Sequence, residues 1–295
     1  MKKGFKKHWI GVVLLVVLMV SLGGCADAGR TIVDLEGNEV VLNGKVERIV
    51  STAPSNTQIL VELGLKEKIV GISNYDSLEG EFLKIDFKNP DIESIVALEP
   101  DVIIASGHNR TGDEDPFKLL KDAGIAVVYI PSADSINGIY ESIRFIGDVV
   151  DLKDEAERIV GEMEDGIDAV KAKAAEVSDK KQVYFEISPM PSIFTTGNGT
   201  FQHELIELIG AENIFASETG WFSPSVEDIL DREPDIIVTN VTYMENSVEE
   251  ILSRDGFGDF EVVLIDGDLT SQPAPTVVEA LWALGKLVYP DVFNE

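Results

Sequence analysis

The chain has 295 residues and a formal net charge of -29, from 53 acidic against 24 basic side chains. Such an excess of anions repels polyanions, which excludes nucleic acid and a bare anionic bilayer as partners. One cysteine excludes a disulfide framework, so the 44% of hydrophobic residues must supply the cores, and a chain of this length has enough for two lobes.

Residues 1–24 read as a lipoprotein signal peptide. Lys2, Lys3, Lys6 and Lys7 form a basic head, and the apolar run from Ile10 to Val20 is short for a bilayer-crossing helix. Leu22-Gly23-Gly24-Cys25 matches the bacterial lipobox, which makes Cys25 the lipidation site and a lipid anchor the membrane attachment. Two acyl chains hold stably where one is marginal. Cleavage removes four lysines and no acids, taking the formal charge from -29 to -33.

Thr31 to Leu42 alternates apolar and polar residues about Glu36-Gly37-Asn38, the pattern of a hairpin. Arg48 to Thr52 reads as a buried strand. Ser55 and Gln58 then have capping-box spacing, ahead of a helix through Ile59, Leu60 and Leu63 that Gly64 ends. Further strands are expected at Ile69 to Ile72, Val102 to Ala105 and Ala126 to Ile130. Leu152 to Val177 places Ala156, Ile159, Val160, Met163, Ile167, Val170 and Ala174 three and four apart, one apolar stripe on a helix. About 26 residues would reach about 39 Å. Val183 to Ile187 is the next strand, Thr200 caps a helix over Leu205 to Ile209 that Gly210 ends, and Ile236 to Thr239 and Val262 to Ile265 are strands. Trp282 belongs to the packing of a helix from Val277 to Leu287.

The sequences on either side of the long helix match. Asn89 to Ile104 aligns without a gap on Ser223 to Val238, 134 positions later, as Glu227 against Glu93 shows. Each copy offers a capping residue, a proline expected in the first turn, a short helix, then Glu-Pro-Asp entering a β-branched strand. The fold class expected is therefore α/β, two lobes with mostly parallel sheets joined by one long helix: an N-terminal lobe over 25–131, a helical connector over 132–178 and a C-terminal lobe over 179–295.

Ligands of parallel sheets bind beyond the carboxyl ends of strands. The segments of interest are Thr52 to Asn56, Ser73 to Asp76, Ser106 to Arg110, Ser188 to Met190, Glu218 to Phe222, Asn240 to Met244 and Asp268 to Pro273. No Gly-x-Ser-x-Gly elbow and no phosphate-binding fingerprint is present, so no enzyme is read. His108 and His203 are too few for a histidine-built metal site. His203 is expected at the surface, whereas His108 follows a strand and faces the expected cleft. Ser55, Tyr75, Phe87, His108, Met190, Trp221 and Tyr243 form the candidate ligand-binding set. Glu93 and Glu227, each near a helix N-terminus, suit the helix dipole by roughly 0.3 to 1 kcal/mol, which alone could explain both.

The lipobox, Arg48-Ile49-Val50-Ser51 before Pro54-Ser55-Asn56-Thr57, the paired acids, Gly197-Asn198-Gly199-Thr200-Phe201, Gly220-Trp221 and Gln272-Pro273-Ala274-Pro275 together resemble the solute-binding lipoproteins of ABC importers for ferric siderophores, heme and cobalamin. The resemblance implies two Rossmann-like lobes bridged by a rigid helix, a metal chelate held between them as cargo, no cofactor, and a monomer at the outer face of the cell membrane. It also implies that Glu93 and Glu227 meet arginines on two permease subunits. Where that family often has Arg-Pro-Gly-Pro-Arg, this chain has Gln272 to Thr276, and the stretch between Tyr75 and Pro90 is short. Arginine is the natural partner of carboxylate and catecholate, so its loss favours a corrinoid over an anionic siderophore, with heme a further alternative through His108, Tyr75 or Met190.

Overall fold

The computed structural model describes residues 29–109 and 115–294; the expected signal peptide, Cys25 and the side chain of His108 lie outside the described residues. The chain opens with the expected hairpin, β1 (Arg30–Val33) antiparallel to β2 (Glu39–Leu42). Buried Asp34 closes its tip, accepting from the backbone N–H groups of Glu36 at 3.1 Å and Asn38 at 2.7 Å. Its other oxygen accepts from Tyr129 N at 2.9 Å, fastening the hairpin to the first lobe.

That lobe is built from β3 (Ile49–Ser51), α1 (Pro54–Glu62), β4 (Ile69–Ser73), β5 (Leu83–Ile85), α2 (Ile92–Ala97), β6 (Val102–Ser106), α3 (Lys118–Asp122) and β7 (Ala126–Ile130). Its sheet runs β5-β4-β3-β6-β7, parallel throughout. Strands β3, β6 and β7 are buried at every residue, as expected where helices cover both faces. Then come α4 (Ile136–Val149) and α5 (Lys153–Ala174). The second lobe follows as β8 (Gln182–Ser188), β9 (Phe194–Thr196), α6 (Phe201–Leu208), β10 (Glu212–Asn213), β11 (Trp221–Phe222), α7 (Val226–Asp231), β12 (Ile236–Thr239), α8 (Ser247–Leu252), β13 (Val262–Leu264), α9 (Gly267–Ser271), α10 (Val277–Val288) and α11 (Pro290–Phe293). Here β8, β10, β12 and β13 pair in parallel, while β9 and β11 add an antiparallel edge.

The sequence duplication is a structural one. Glu99 and Glu233 both adopt φ 47, the left-handed conformation that stops a helix and turns the chain. Each is followed by a buried proline and then by an aspartate that anchors the new strand to its central neighbour. Asp101 Oδ2 accepts from Arg48 N at 2.8 Å, and Asp235 Oδ2 accepts from Gln182 N at 2.7 Å. The return bonds, Asp101 N to Arg48 O and Asp235 N to Gln182 O, are 2.9 and 2.8 Å. At the other end of each copy the prolines stand before the helix instead of in its first turn: Asp91 and Ser225 are the caps, accepting from Ser94 N at 3.2 Å and Asp228 N at 3.0 Å.

Helix α5 starts one residue later and ends three residues sooner than its periodicity predicts, with Asp151 at φ 58 turning the chain out of α4. It is no free-standing strut. Ala156, Ile159, Val160, Met163, Ile167 and Val170 are buried in one core that runs from Ile49 and Val102 in the first sheet, through Ile139 and Ile146 on α4, to Val183, Phe185 and Leu281 in the second lobe. Close approach sets the packing: a Cβ on Gly147 would lie 2.4 Å from the Ala156 Cβ, and one on Gly166 would lie 2.6 Å from Val278 Cγ1. Trp282 packs edge-on to Phe293, ring centroids 5.7 Å apart.

Candidate ligand-binding cleft

The carboxyl end of β3 leads straight into α1, whose first residue is Pro54 and whose cap is Ala53, without a side-chain hydrogen bond. The predicted capping box is therefore not formed: Pro54 at the first helical position already lacks an N–H to satisfy, and Gln58 is used elsewhere. Around this corner the buried polar groups are cross-bonded. Thr52 Oγ1 donates to Asn109 Oδ1 at 2.5 Å, and Ser106 N donates to the same oxygen at 2.8 Å, which leaves Nδ2 as the donor end of Asn109. Thr57 Oγ1 donates to Ser51 Oγ at 2.8 Å.

The opposing wall comes from the segment joining α9 to α10. Asn240 Nδ2 donates to Thr270 Oγ1 at 3.1 Å and Ser271 Oγ at 3.0 Å, and Gln202 Nε2 donates to Thr270 O at 3.2 Å. These bonds fix the end of α9 on its own lobe, and Ser271, Gln272 and Pro273 face the first lobe across the cavity. Between the walls lies a cavity of about 260 Å³, lined on the first-lobe side by Thr52 to Ser55, Tyr75, Phe87, Ser106, Asn109 and Ser132. Tyr75 is 71% exposed and stacks at a tilt on half-buried Phe87, ring centroids 5.7 Å apart.

The lobes touch beside this cavity. Gln58 Nε2 donates to Gln272 Oε1, and Thr276 Oγ1 donates to Gln58 Oε1 at 2.9 Å. Beyond that bridge a second cavity of about 380 Å³ is lined by Gln58, Glu62, Lys66, Asp76, Glu79, Gln272 and neighbours. On the far face of β8, away from both, Arg254 donates to the two Glu186 oxygens at 2.6 and 2.8 Å, with both side chains buried. Burial there pushes the Tyr184 hydroxyl well above its ordinary pKa, and the adjacent Glu186 charge adds to it.

Of the sequence-predicted residues, the structure brings Ser55, Tyr75 and Phe87 into one cavity. The backbone of His108 lies in the 3-10 turn 107–109 beside it. Met190, Trp221 and Tyr243 are 48%, 43% and 76% exposed on the second lobe and line neither cavity. Trp221 is tied to the cleft wall at one remove, since its Nε1 donates to Gln202 Oε1 at 3.1 Å. Glu93 and Glu227 are both exposed in the first turns of α2 and α7. His203 is half-buried, not a surface residue: its Nδ1 sits 3.3 Å from Asn213 Nδ2. Thr52, Ser106, Asn109, Ser271, Gln272 and Pro273 fall inside the segments expected beyond the strands, but none of them is in the candidate ligand-binding set. Ser132 fell outside them. Among the described residues no cluster of three or more His, Cys, Asp or Glu side chains is arranged to hold a metal ion.

A periplasmic binding protein family model matches residues 49–263, a span that takes in both sheets. The chain belongs to the periplasmic binding protein family. Within this family it is 32% identical over 310 residues to the uncharacterized ABC transporter substrate-binding lipoprotein YvrC of Bacillus subtilis (strain 168), covering 97% of this chain and 98% of that one. It is 26% identical over 304 residues to a cobalamin-binding protein of Halobacterium salinarum (strain ATCC 29341 / DSM 671 / R1), with 92% and 81% covered. Among solved structures it resembles a possible iron-binding (periplasmic solute-binding) protein from Staphylococcus epidermidis ATCC 12228, at a TM-score of 0.75 and 32% identity, over 83% of this chain and all of the other. The family's two-lobed plan is the fold described above.

Proposed function

We propose that this is the extracytoplasmic, lipid-anchored solute-binding protein of an ABC importer. It captures a metal chelate, a corrinoid before others, between lobes 25–131 and 179–295 joined through 132–178, and delivers it unaltered to the permease. The observation that carries the reading is the cavity where strand ends of one lobe meet the 271–273 wall of the other, with Tyr75 exposed over Phe87 at its edge. An aromatic left this open is suited to a flat, bulky guest larger than the cavity itself. The corrinoid preference is supported by charge: among the described residues Lys66 is the sole basic side chain lining the two cleft cavities, so carboxylate- or catecholate-bearing chelates meet no arginine among those residues. A ferric siderophore or heme is the second reading, supported by the likeness to the Staphylococcus epidermidis protein.

Spectrophotometric titration of the purified protein with cyanocobalamin, hemin and ferric siderophores tests this. Saturable binding of cyanocobalamin, recovered with unchanged mass, is the expected result. Binding confined to hemin or a siderophore would install the second reading, and a chemically altered ligand would mean an enzyme. For Glu93 and Glu227 the proposed role is docking to two permease subunits, motivated by their exposure on matched helices. Glu93→Ala and Glu227→Ala should each abolish uptake in cells while solution affinity for the ligand stays at the wild-type value; weakened affinity with normal uptake would reverse the assignment.

A further inference from the structure

Two helix starts forgo their own capping and reach across the cleft. Thr276 stands at the cap position of α10 but makes no side-chain cap bond, and Gln58, on α1 three residues after Ser55, closes no capping box. Their polar groups join the lobes instead, with the donors and acceptors running one way. Thr276 Oγ1 donates to Gln58 Oε1 at 2.9 Å, Gln58 Nε2 donates to Gln272 Oε1, and Gln272 Nε2 donates at 3.0 Å to Asp268 Oδ1 on its own lobe. This clasp stands at the partition between the two cleft cavities. Gln272 lines both; Ser55 and Tyr75 line the smaller, whereas Gln58 and Asp76 line the larger. Ligand sites run from about 300 to 1,000 Å³, so the smaller chamber, about 260 Å³, is undersized alone, and joined to its neighbour of about 380 Å³ it is not.

We propose that Gln58 is a side-chain gate that sets the size of guest the cleft admits: closed, it divides the cleft into two small chambers, and swung aside, it joins them into one site for a bulky chelate. The inference rests on the reading of the cleft as the solute site, but not on which chelate fills it. Opening needs rotation of the Gln58 side chain and no parting of the lobes, which lean on one core. Gln58, Gln272 and Thr276 are half-buried and uncharged, and hydrogen bonds between such groups are weak enough in net terms for a guest to displace. The closed form costs binding in proportion to its population, because association and apparent affinity both scale with the fraction of molecules that stand open. Gln58 is then a specificity residue that acts before the guest is seated.

The test is stopped-flow mixing of the mature lipoprotein with cyanocobalamin, hemin and ferrichrome, for wild type, Gln58→Met and Thr276→Val. Gln58→Met keeps the length and the helix propensity of the side chain while losing both of its clasp bonds; Thr276→Val loses one of them and keeps the gate residue itself. For whichever probe binds, kon should rise about fivefold in Thr276→Val and about twentyfold in Gln58→Met, the factors for one and for two net hydrogen bonds, with koff unchanged. A merely structural role would lower the melting temperature and leave kon where it was. Equal kon in the three proteins would overturn the gate, as would a rise in koff without one in kon, which would make Gln58 a contact to the seated guest. Saturable binding of no probe by any of the three proteins would instead defeat the reading of the cleft as the solute site, and the gate with it.

Discussion

Gln58 shows how a site residue hides in a sequence. Its spacing from Ser55 fits a helix cap, yet in the structure its amide reaches Gln272 and Thr276, more than two hundred positions along the chain. No local pattern encodes such a contact. Tyr75 and Phe87 were legible because large aromatics outside any periodic segment are unusual, while Asn109 and Ser132 were not, because small polar residues are what every loop contains. Asp115 carries a prediction at this scale. Burial alone would raise its pKa, but hydrogen bonds from Lys121, Tyr129 and the Phe117 backbone outweigh that and hold the carboxyl below its ordinary value. Its contribution to stability is therefore complete above about pH 4 and disappears as pH falls through the lowered folded value. Urea melts should show Asp115→Asn less stable than wild type at pH 7, with the gap narrowing as pH falls below about 4.

Helices and strands differ in how openly they were written. The duplicated unit was legible to within a residue, since Glu-Pro-Asp combines a turn, a residue without an N–H and an acceptor for strand pairing. Strands β10 and β11, two residues each, were not, because so short a run has no period to detect. Helix α5 offers a paired test of packing against propensity. Gly161 has open space where a Cβ would go, whereas a Cβ on Gly166 meets Val278 Cγ1 at 2.6 Å, and a β-branched neighbour has little freedom to yield. Gly161→Ala should stabilise by up to about 1 kcal/mol from helix propensity. Gly166→Ala should gain nothing or lose, and chemical denaturation of the two variants would separate the effects.

At the scale of the molecule, self-repulsion from a net charge of -29 is expected to outweigh surface ion pairs, each worth about 0–1 kcal/mol when exposed. Salt shortens the screening length from about 30 Å at 0.01 M to about 8 Å at 0.15 M, so the melting temperature should rise between those two concentrations; a fall would mean that the ion pairs dominate. The two-lobed plan was legible in the duplication, but the shared core was not. Amphipathic stripes say that α4 and α5 bury a face, not that both sheets lean on the same one.

That common interior has a further consequence. With Ile49, Ile146, Val160 and Phe185 belonging to one apolar body, the protein has no seam along which to come apart. Scanning calorimetry should record a single endotherm, and cutting the chain between α5 and β8 should leave neither fragment able to stand by itself. Whatever guest the crevice accepts would then brace the entire polypeptide at once, so its arrival should be felt as far away as the terminal helix α11.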